Sequence, residues 1–154
     1  MALQIGDSIP DLLGKDQNGQ AFKLSEHTEK KWIIYFYPKD NTPGCTAEAC
    51  SFRDEYKSLK QMGYGIVGVS GDSEKSHQKF IASKQLPFHL IADTDHQLAE
   101  LFGVWKEKKM MGKTYMGIVR TTFVTDENGV ITHIMAQKQI QTSQHAQQLM
   151  ELLG

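Results

Sequence analysis

The chain has 154 residues, about the length of one domain, and its 40% hydrophobic and 23% charged residues belong to a folded globule rather than a disordered segment. A formal net charge of −1 supplies no strong field toward nucleic acid or an acidic lipid surface, so neither is expected as a partner. Two cysteines are too few to staple the fold with disulfides and too few for a closed zinc site, which wants four ligands.

The start of the chain lacks a basic segment leading into an apolar stretch, so no secretory signal is expected. Asn18-Gly19 lies between flanks that can pair within Ile9 to Lys23, which predicts a small N-terminal hairpin. Trp32 to Tyr37 is a continuous apolar, β-rich run ended by Pro38, too short to cross a bilayer. It predicts a strand covered on both faces. A loop from Pro38 to Gly44 then leads into a helix whose apolar stripe is Ala49, Phe52, Tyr56 and Leu59. Cys45 stands at the N-terminal end of that stripe. Cys50 is turned about 100° from Ala49, toward the polar flank of Arg53 and Lys57.

Ile66 to Ser70 predicts a second buried strand. Ser73 to Lys84 predicts a helix with Ser73 as N-cap. Pro87 opens a short strand through Ile91, and Gln97 to Phe102 reads as a short helix. Ile118 to Thr125 and Val130 to Met135 flank Asp126-Glu127-Asn128-Gly129, a strong hairpin signal. Thr142 to Leu153 predicts an amphipathic terminal helix. The order after the first hairpin, β-α-β-α-β-α-β-β-α, predicts an α/β thioredoxin-like fold with a central mixed sheet flanked by helices. A doubly wound flavodoxin-like sheet is the weaker alternative, because it usually lacks the late hairpin.

Two phosphate-binding patterns fail in context. Gly63 to Gly68 matches G-x-G-x-x-G but follows a helix and enters a strand, the reverse of what a pyrophosphate site needs. It reads instead as a turn with close strand packing. Gly112-Lys113-Thr114 resembles the end of a P-loop, but the first glycine of that motif is replaced by Glu107. Lys106, Lys108, Lys109 and Lys113 then read as a solvated basic loop. The six histidines show no i, i+4 pair, so nothing in their spacing favours a metal site and each reads as a surface or core residue.

The cysteine pair carries the chemistry. Thr42-Pro43 is favourable at a helix start, because proline's missing donor costs nothing in the first turn. Cys45 then lies where free backbone N–H groups and the positive end of the helix favour a thiolate. The spacing is not Cys-x-x-Cys, which weighs against a dithiol reductase. A redox sensor and a zinc-binding module remain open on the residues alone. The asymmetry of the two positions suggests one attacking and one resolving thiol, and a reducing, cytoplasmic compartment is the default setting for such a pair.

The segment Tyr35-Phe36-Tyr37-Pro38-Lys39-Asp40-Asn41-Thr42-Pro43-Gly44-Cys45-Thr46, with Glu48-Ala49-Cys50 and Phe52-Arg53-Asp54, resembles the active-site segment of the peroxiredoxins, specifically their bacterioferritin comigratory protein (PrxQ) group. The likeness continues through Val69-Ser70, Asp72-Ser73, Phe80, Leu86-Pro87-Phe88, Gly103-Val104-Trp105 and Arg120-Thr121-Thr122-Phe123, nearly the whole chain. It implies one thioredoxin-like domain over residues 1–154, acting as a monomer with no bound cofactor. The implied activity is reduction of hydrogen peroxide and organic hydroperoxides, with thioredoxin or a similar dithiol as the external reductant. The same resemblance makes Cys45 the peroxidatic residue and Cys50 the resolving one. It places Thr42 and Arg120 in the peroxide pocket and Pro38 as a shield of the sulfur. Gly44 is implied as support of the pocket. Glu48 reads as a first-turn carboxylate that orients Arg120.

Overall fold

The structure, a computed structural model, describes residues 2–154. β1 (Leu12–Lys15) and β2 (Ala21–Lys23) form the expected hairpin. Its turn is closed by Asp16, whose Oδ1 accepts the N–H groups of Asn18 and Gln20. The main sheet is built on β3 (Lys31–Phe36), which lies parallel to β4 (Tyr64–Ser70). β5 (His89–Ala92) extends the parallel side beyond β4.

A hairpin of β6 (Trp105–Met110) and β7 (Lys113–Ile118) stands apart as a two-stranded ribbon. β8 (Thr121–Thr125) pairs antiparallel with β3, and β9 (Ile131–Met135) with β8. The five-stranded order β5-β4-β3-β8-β9 is the mixed, thioredoxin-like arrangement that the sequence predicts.

Both faces of this sheet are covered, which is why its strands read as nearly continuous apolar runs. Trp32, Ile34 and Phe36 point into one core, with Phe102 and Phe123. Ile33 and Tyr35 point into the other, with Cys45, Ala49 and Phe52. The Gly63–Gly68 pattern serves packing, as expected. A Cβ on Gly65 would lie 2.6 Å from the Trp32 ring, and one on Gly68 would lie 2.8 Å from Tyr35.

The helices are α1 (Pro43–Asp54), α2 (Tyr56–Gln61), α3 (Glu74–Lys84), α4 (Gln97–Leu101) and α5 (His145–Leu153). Ser73 caps α3, its side chain accepting the Ser76 N–H at 3.1 Å. Asp126 closes the turn between β8 and β9 by accepting from Asn128 and Val130.

The structure corrects four expectations. The helix after Gly44 breaks at Glu55 (φ −106°, ψ 10°) and resumes as α2, while its stripe of Ala49, Phe52 and Leu59 stays fully buried. The lysine run is a hairpin, not a loop. Met111 and Gly112 both take positive φ, 52° and 78°, the primed-turn geometry that suits right-handed strand twist. Its alternation was hidden because most of the ribbon is exposed. The strand expected from Ile118 to Thr125 is interrupted: Ile118 ends β7, β8 starts at Thr121, and Arg120 sits in the break. Finally, Thr142–Gln144 is a 3-10 turn ahead of α5. Gln144 gives α5 no side-chain cap. Ser51 of α1 does so instead, its Oγ accepting the Ala146 N–H at 3.0 Å.

Candidate active site

Pro43 occupies the first turn of α1 after Thr42, whose carbonyl accepts the Thr46 N–H at 2.8 Å. Cys45 is therefore at the helix start, as expected, and it is buried. Arg120, presented by the break between β7 and β8, reaches across to it. Its Nη2 donates to Cys45 Sγ at 3.3 Å and its Nη1 to Glu48 Oε1 at 2.6 Å. One planar guanidinium thus holds a sulfur and a carboxyl at once, a geometry that an ammonium lacks. Gly44 makes room for it, since a Cβ there would sit 3.3 Å from Nη2.

Glu48 is a second-turn residue rather than the first-turn carboxylate expected, and it has 0% exposure. It does bind Arg120. Its Oε2 has no hydrogen-bond partner among the described residues, and neither has the buried Tyr35 hydroxyl. His145 Nε2 lies 3.9 Å from Oε2 but is engaged with Thr122 Oγ1 at 2.7 Å. Two effects oppose at Glu48. Burial raises its pKa from 4.5 to about 7, while the guanidinium pulls it down. Burial wins because one carboxyl oxygen is left unpaired. Burial also lowers His145 from 6.5 to about 4.

These two groups have opposite consequences for stability. Glu48 favours the fold below pH 4.5, and that contribution is lost as pH rises to about 7. His145 favours the fold above pH 6.5, and that contribution is lost as pH falls to about 4. In the wild type they largely cancel between pH 4 and 7. Relative to wild type, Glu48→Gln should gain about 3 kcal/mol between pH 4.5 and 7, and His145→Gln should lose a similar amount between pH 4 and 6.5. Urea unfolding across that range reads both differences, and parallel curves would remove either assignment.

The other predicted residues take distinct places. The Thr42 hydroxyl donates to the Lys39 carbonyl at 3.0 Å rather than to sulfur, which leaves its oxygen lone pairs free to accept. Pro38 is partly buried at the start of the same loop. It lines a groove of about 470 Å³ together with Trp105, Lys108, Met116 and Ile118. Cys50 is partly exposed, and both cysteines are free thiols. No metal-ligating group of three or more His, Cys, Asp or Glu side chains occurs among the described residues.

Sequence reasoning missed the buried partners of this site. Ser51 holds α5 against α1, with Oγ also donating to Gln147 Oε1 at 3.2 Å. Asp40 and His77 form a second buried network behind the loop. The only signal for His77 was a polar residue three positions before the apolar Phe80 on one helix face.

Residues 5–134 match the AhpC/TSA family model. A protein of Bacillus subtilis named Peroxiredoxin Bcp is 44% identical over 153 residues, covering 99% of this chain and 96% of that protein. PrxQ of Xylella fastidiosa superimposes with a TM-score of 0.87 at 33% identity, over 99% of this chain and 96% of that one. The bacterioferritin comigratory protein of Xanthomonas campestris does so with a TM-score of 0.82 at 34% identity, over 96% and 97%. With a free thiol at a helix start, bridged by an arginine to a buried carboxyl, and with relatives of this closeness over nearly its full length, the chain belongs to the AhpC/TSA family, as a peroxiredoxin of the Bcp/PrxQ group.

Proposed function

We propose that the chain reduces hydrogen peroxide and organic hydroperoxides through Cys45 and is recycled through Cys50 by thioredoxin or a similar dithiol. The observation that carries this reading is the Arg120 bridge from Cys45 Sγ to Glu48. The Cys45 thiolate attacks one peroxide oxygen along the O–O axis. The S–O bond forms, the O–O bond breaks, and the leaving alkoxide or hydroxide takes a proton from solvent water. Arg120 is a fixed cation where charge moves from sulfur to oxygen. Thr42, whose hydroxyl donates its hydrogen bond to the Lys39 carbonyl, accepts the peroxide O–H. The X. campestris relative is described by its alkyl peroxide reduction activity. The groove beside Pro38 is of mixed lining, and Trp105, Met116 and Ile118 give it an apolar wall that suits an alkyl chain.

Cys50 then attacks the sulfenic sulfur, water leaves, and a Cys45–Cys50 disulfide forms. α1 is continuous across both residues. In such a helix their Cα atoms are about 8.7 Å apart, beyond the roughly 7 Å limit for a disulfide. The start of α1 therefore unwinds once per turnover, while Ser51 and Phe52 stay fixed against α5 and the core. The external dithiol takes the disulfide back to two thiols. The group acts as a monomer in the cytoplasm in this reading, as part of antioxidant defence.

One experiment tests the sequence of steps. Reduced protein treated with one equivalent of peroxide should lose two thiols and give a single Cys45–Cys50 crosslinked peptide by mass spectrometry. Thioredoxin, its reductase and NADPH should then sustain peroxide-dependent NADPH oxidation. Loss of the thiols without that crosslink, or no NADPH oxidation with any dithiol donor, would refute the recycling step.

A further inference from the structure

The link between β3 and α1 carries Pro38 and Thr42 yet has no regular secondary structure. Asn41 adopts φ 60°, a left-handed conformation uncommon outside glycine. Such a link should be mobile, but it is tied down through Asp40. The Asp40 N–H donates to Asp72 Oδ2 at 2.8 Å, and that oxygen also accepts from Ser70 Oγ at 2.6 Å. The Asp40 carboxyl, almost fully buried, accepts from the Tyr37 hydroxyl at 2.5 Å and from Ser76 Oγ at 2.8 Å. It contacts His77 Nδ1 at 2.7 Å, and His77 has 0% exposure.

The other ring nitrogen of His77 meets the Ile91 carbonyl at 2.9 Å. A carbonyl only accepts, so this nitrogen carries a hydrogen. The Nδ1–Oδ2 contact at 2.7 Å is then the hydrogen bond that joins the two side chains. Through Asp40 and His77 the link is bound to the end of β4, to α3 and to β5 together. Nothing in the chemistry of Cys45, Arg120 and Glu48 uses these residues.

The tether sets one position above all. Thr42 Oγ1 bonds back to the Lys39 carbonyl, closing a four-residue turn with Asp40 and Asn41 at its centre. The orientation of Asp40 therefore fixes where the Thr42 oxygen stands relative to the start of α1.

We propose that the buried Asp40–His77 pair is a positioning clamp for peroxide reduction, holding the Lys39–Thr42 turn so that Thr42 Oγ stands where a peroxide bound at Cys45 must donate its O–H. The proposal rests on Cys45 being the peroxide-reactive thiol. It differs from a plain stabilising role in one respect. Peroxide attack needs both the thiolate and Thr42, whereas alkylation by iodoacetamide needs only the thiolate.

The test compares these two rates at Cys45 in the full chain, with Cys50 replaced by serine throughout. Asp40→Ala and His77→Ala should slow oxidation by hydrogen peroxide at least tenfold, since a displacement of about 1 Å can cost up to about 10²-fold. Alkylation should stay within about twofold. Asp40→Asn should restore most of the oxidation rate, because its amide oxygen can accept from Tyr37 and its NH₂ can donate to His77. Tyr37→Phe, which removes one bond from a well-packed ring, carries the test if the alanine variants do not fold. It should lower oxidation several-fold with alkylation unchanged. Equal losses in both rates, an unchanged oxidation rate, or an Asp40→Asn variant as slow as Asp40→Ala overturns the clamp. A parent protein whose Cys45 does not react with peroxide overturns the peroxidase reading itself, an outcome distinct from these.

Discussion

Cys45→Ser should show no peroxide-dependent NADPH oxidation, and Cys50→Ser should consume one equivalent of peroxide and stop as a sulfenic acid. The first result follows from the inventory. Only two thiols exist, and only Cys45 is held by the guanidinium. A serine hydroxyl at that position is not ionised near neutral pH and does not cleave an O–O bond. The second follows from geometry. With Cys50 gone, no other thiol of the chain can reach the oxidised sulfur. A dimedone adduct on Cys45 after one equivalent of peroxide, absent without peroxide, identifies the stalled species. Amide exchange gives the structural half of the same prediction. Residues 45–50 should exchange much faster in the disulfide form than in the reduced form, while Phe52 keeps its protection beneath Tyr35 and His145. Equal protection of residues 45–50 in the two forms would mean that the helix does not open. Sustained turnover of Cys50→Ser with thioredoxin alone would give resolution to the external dithiol.

The sheet was legible because its physics is local. A run such as Trp32 to Phe36 needs cover on both faces, and Asn18-Gly19 and Asn128-Gly129 mark turns that few other residues can make. Cys45 was legible for the same reason, as a thiol behind Thr-Pro-Gly at a helix start. What stayed hidden depends on contacts far apart in the chain. Arg120 needed the family resemblance to be singled out, since a lone arginine at a strand flank is ordinary. Its reach to Cys45 depends on the interruption between Ile118 and Thr121, which no propensity marks. Glu48 read as a first-turn carboxylate beside Arg120, with nothing local to mark it as buried. Its burial follows from α5 folding back over α1, a contact spanning about 95 residues that is fixed by Ser51 and Ala146. The β6–β7 ribbon escaped because four lysines and exposed methionines mask its alternation. His77 and His145 looked ordinary one by one, because a buried polar network shows itself only when its members meet.

Arg120→Ala should lower the second-order rate of peroxide attack by about 10²–10³, the scale for removing one preorganised donor from a developing oxyanion. Acidity accounts for little of this. For any thiol, moving the pKa from about 8.5 to about 6 raises the thiolate fraction at pH 7 by roughly 30-fold. If the nucleophilicity trend of thiol exchange holds for peroxide, with β about 0.45, roughly 13-fold of that is returned. A gain of only a few-fold remains, so the main part of the rate must come from placing positive charge where charge shifts from sulfur to oxygen. In the proposed mechanism Arg120 does this, and its guanidinium stands 3.3 Å from Sγ, held by Glu48 and admitted by the missing side chain of Gly44. The variant should still fold, because a buried Glu48 can keep its proton when its cation is lost. Arg120→Lys retains the charge, but its single ammonium cannot span Sγ and Oε1 in one plane, so it should recover only part of the loss. The check is stopped-flow oxidation beside an independent titration of the Cys45 thiolate in each variant. A rate loss that disappears once normalised to the thiolate fraction would reduce Arg120 to a pKa modulator and refute its role at the transition state.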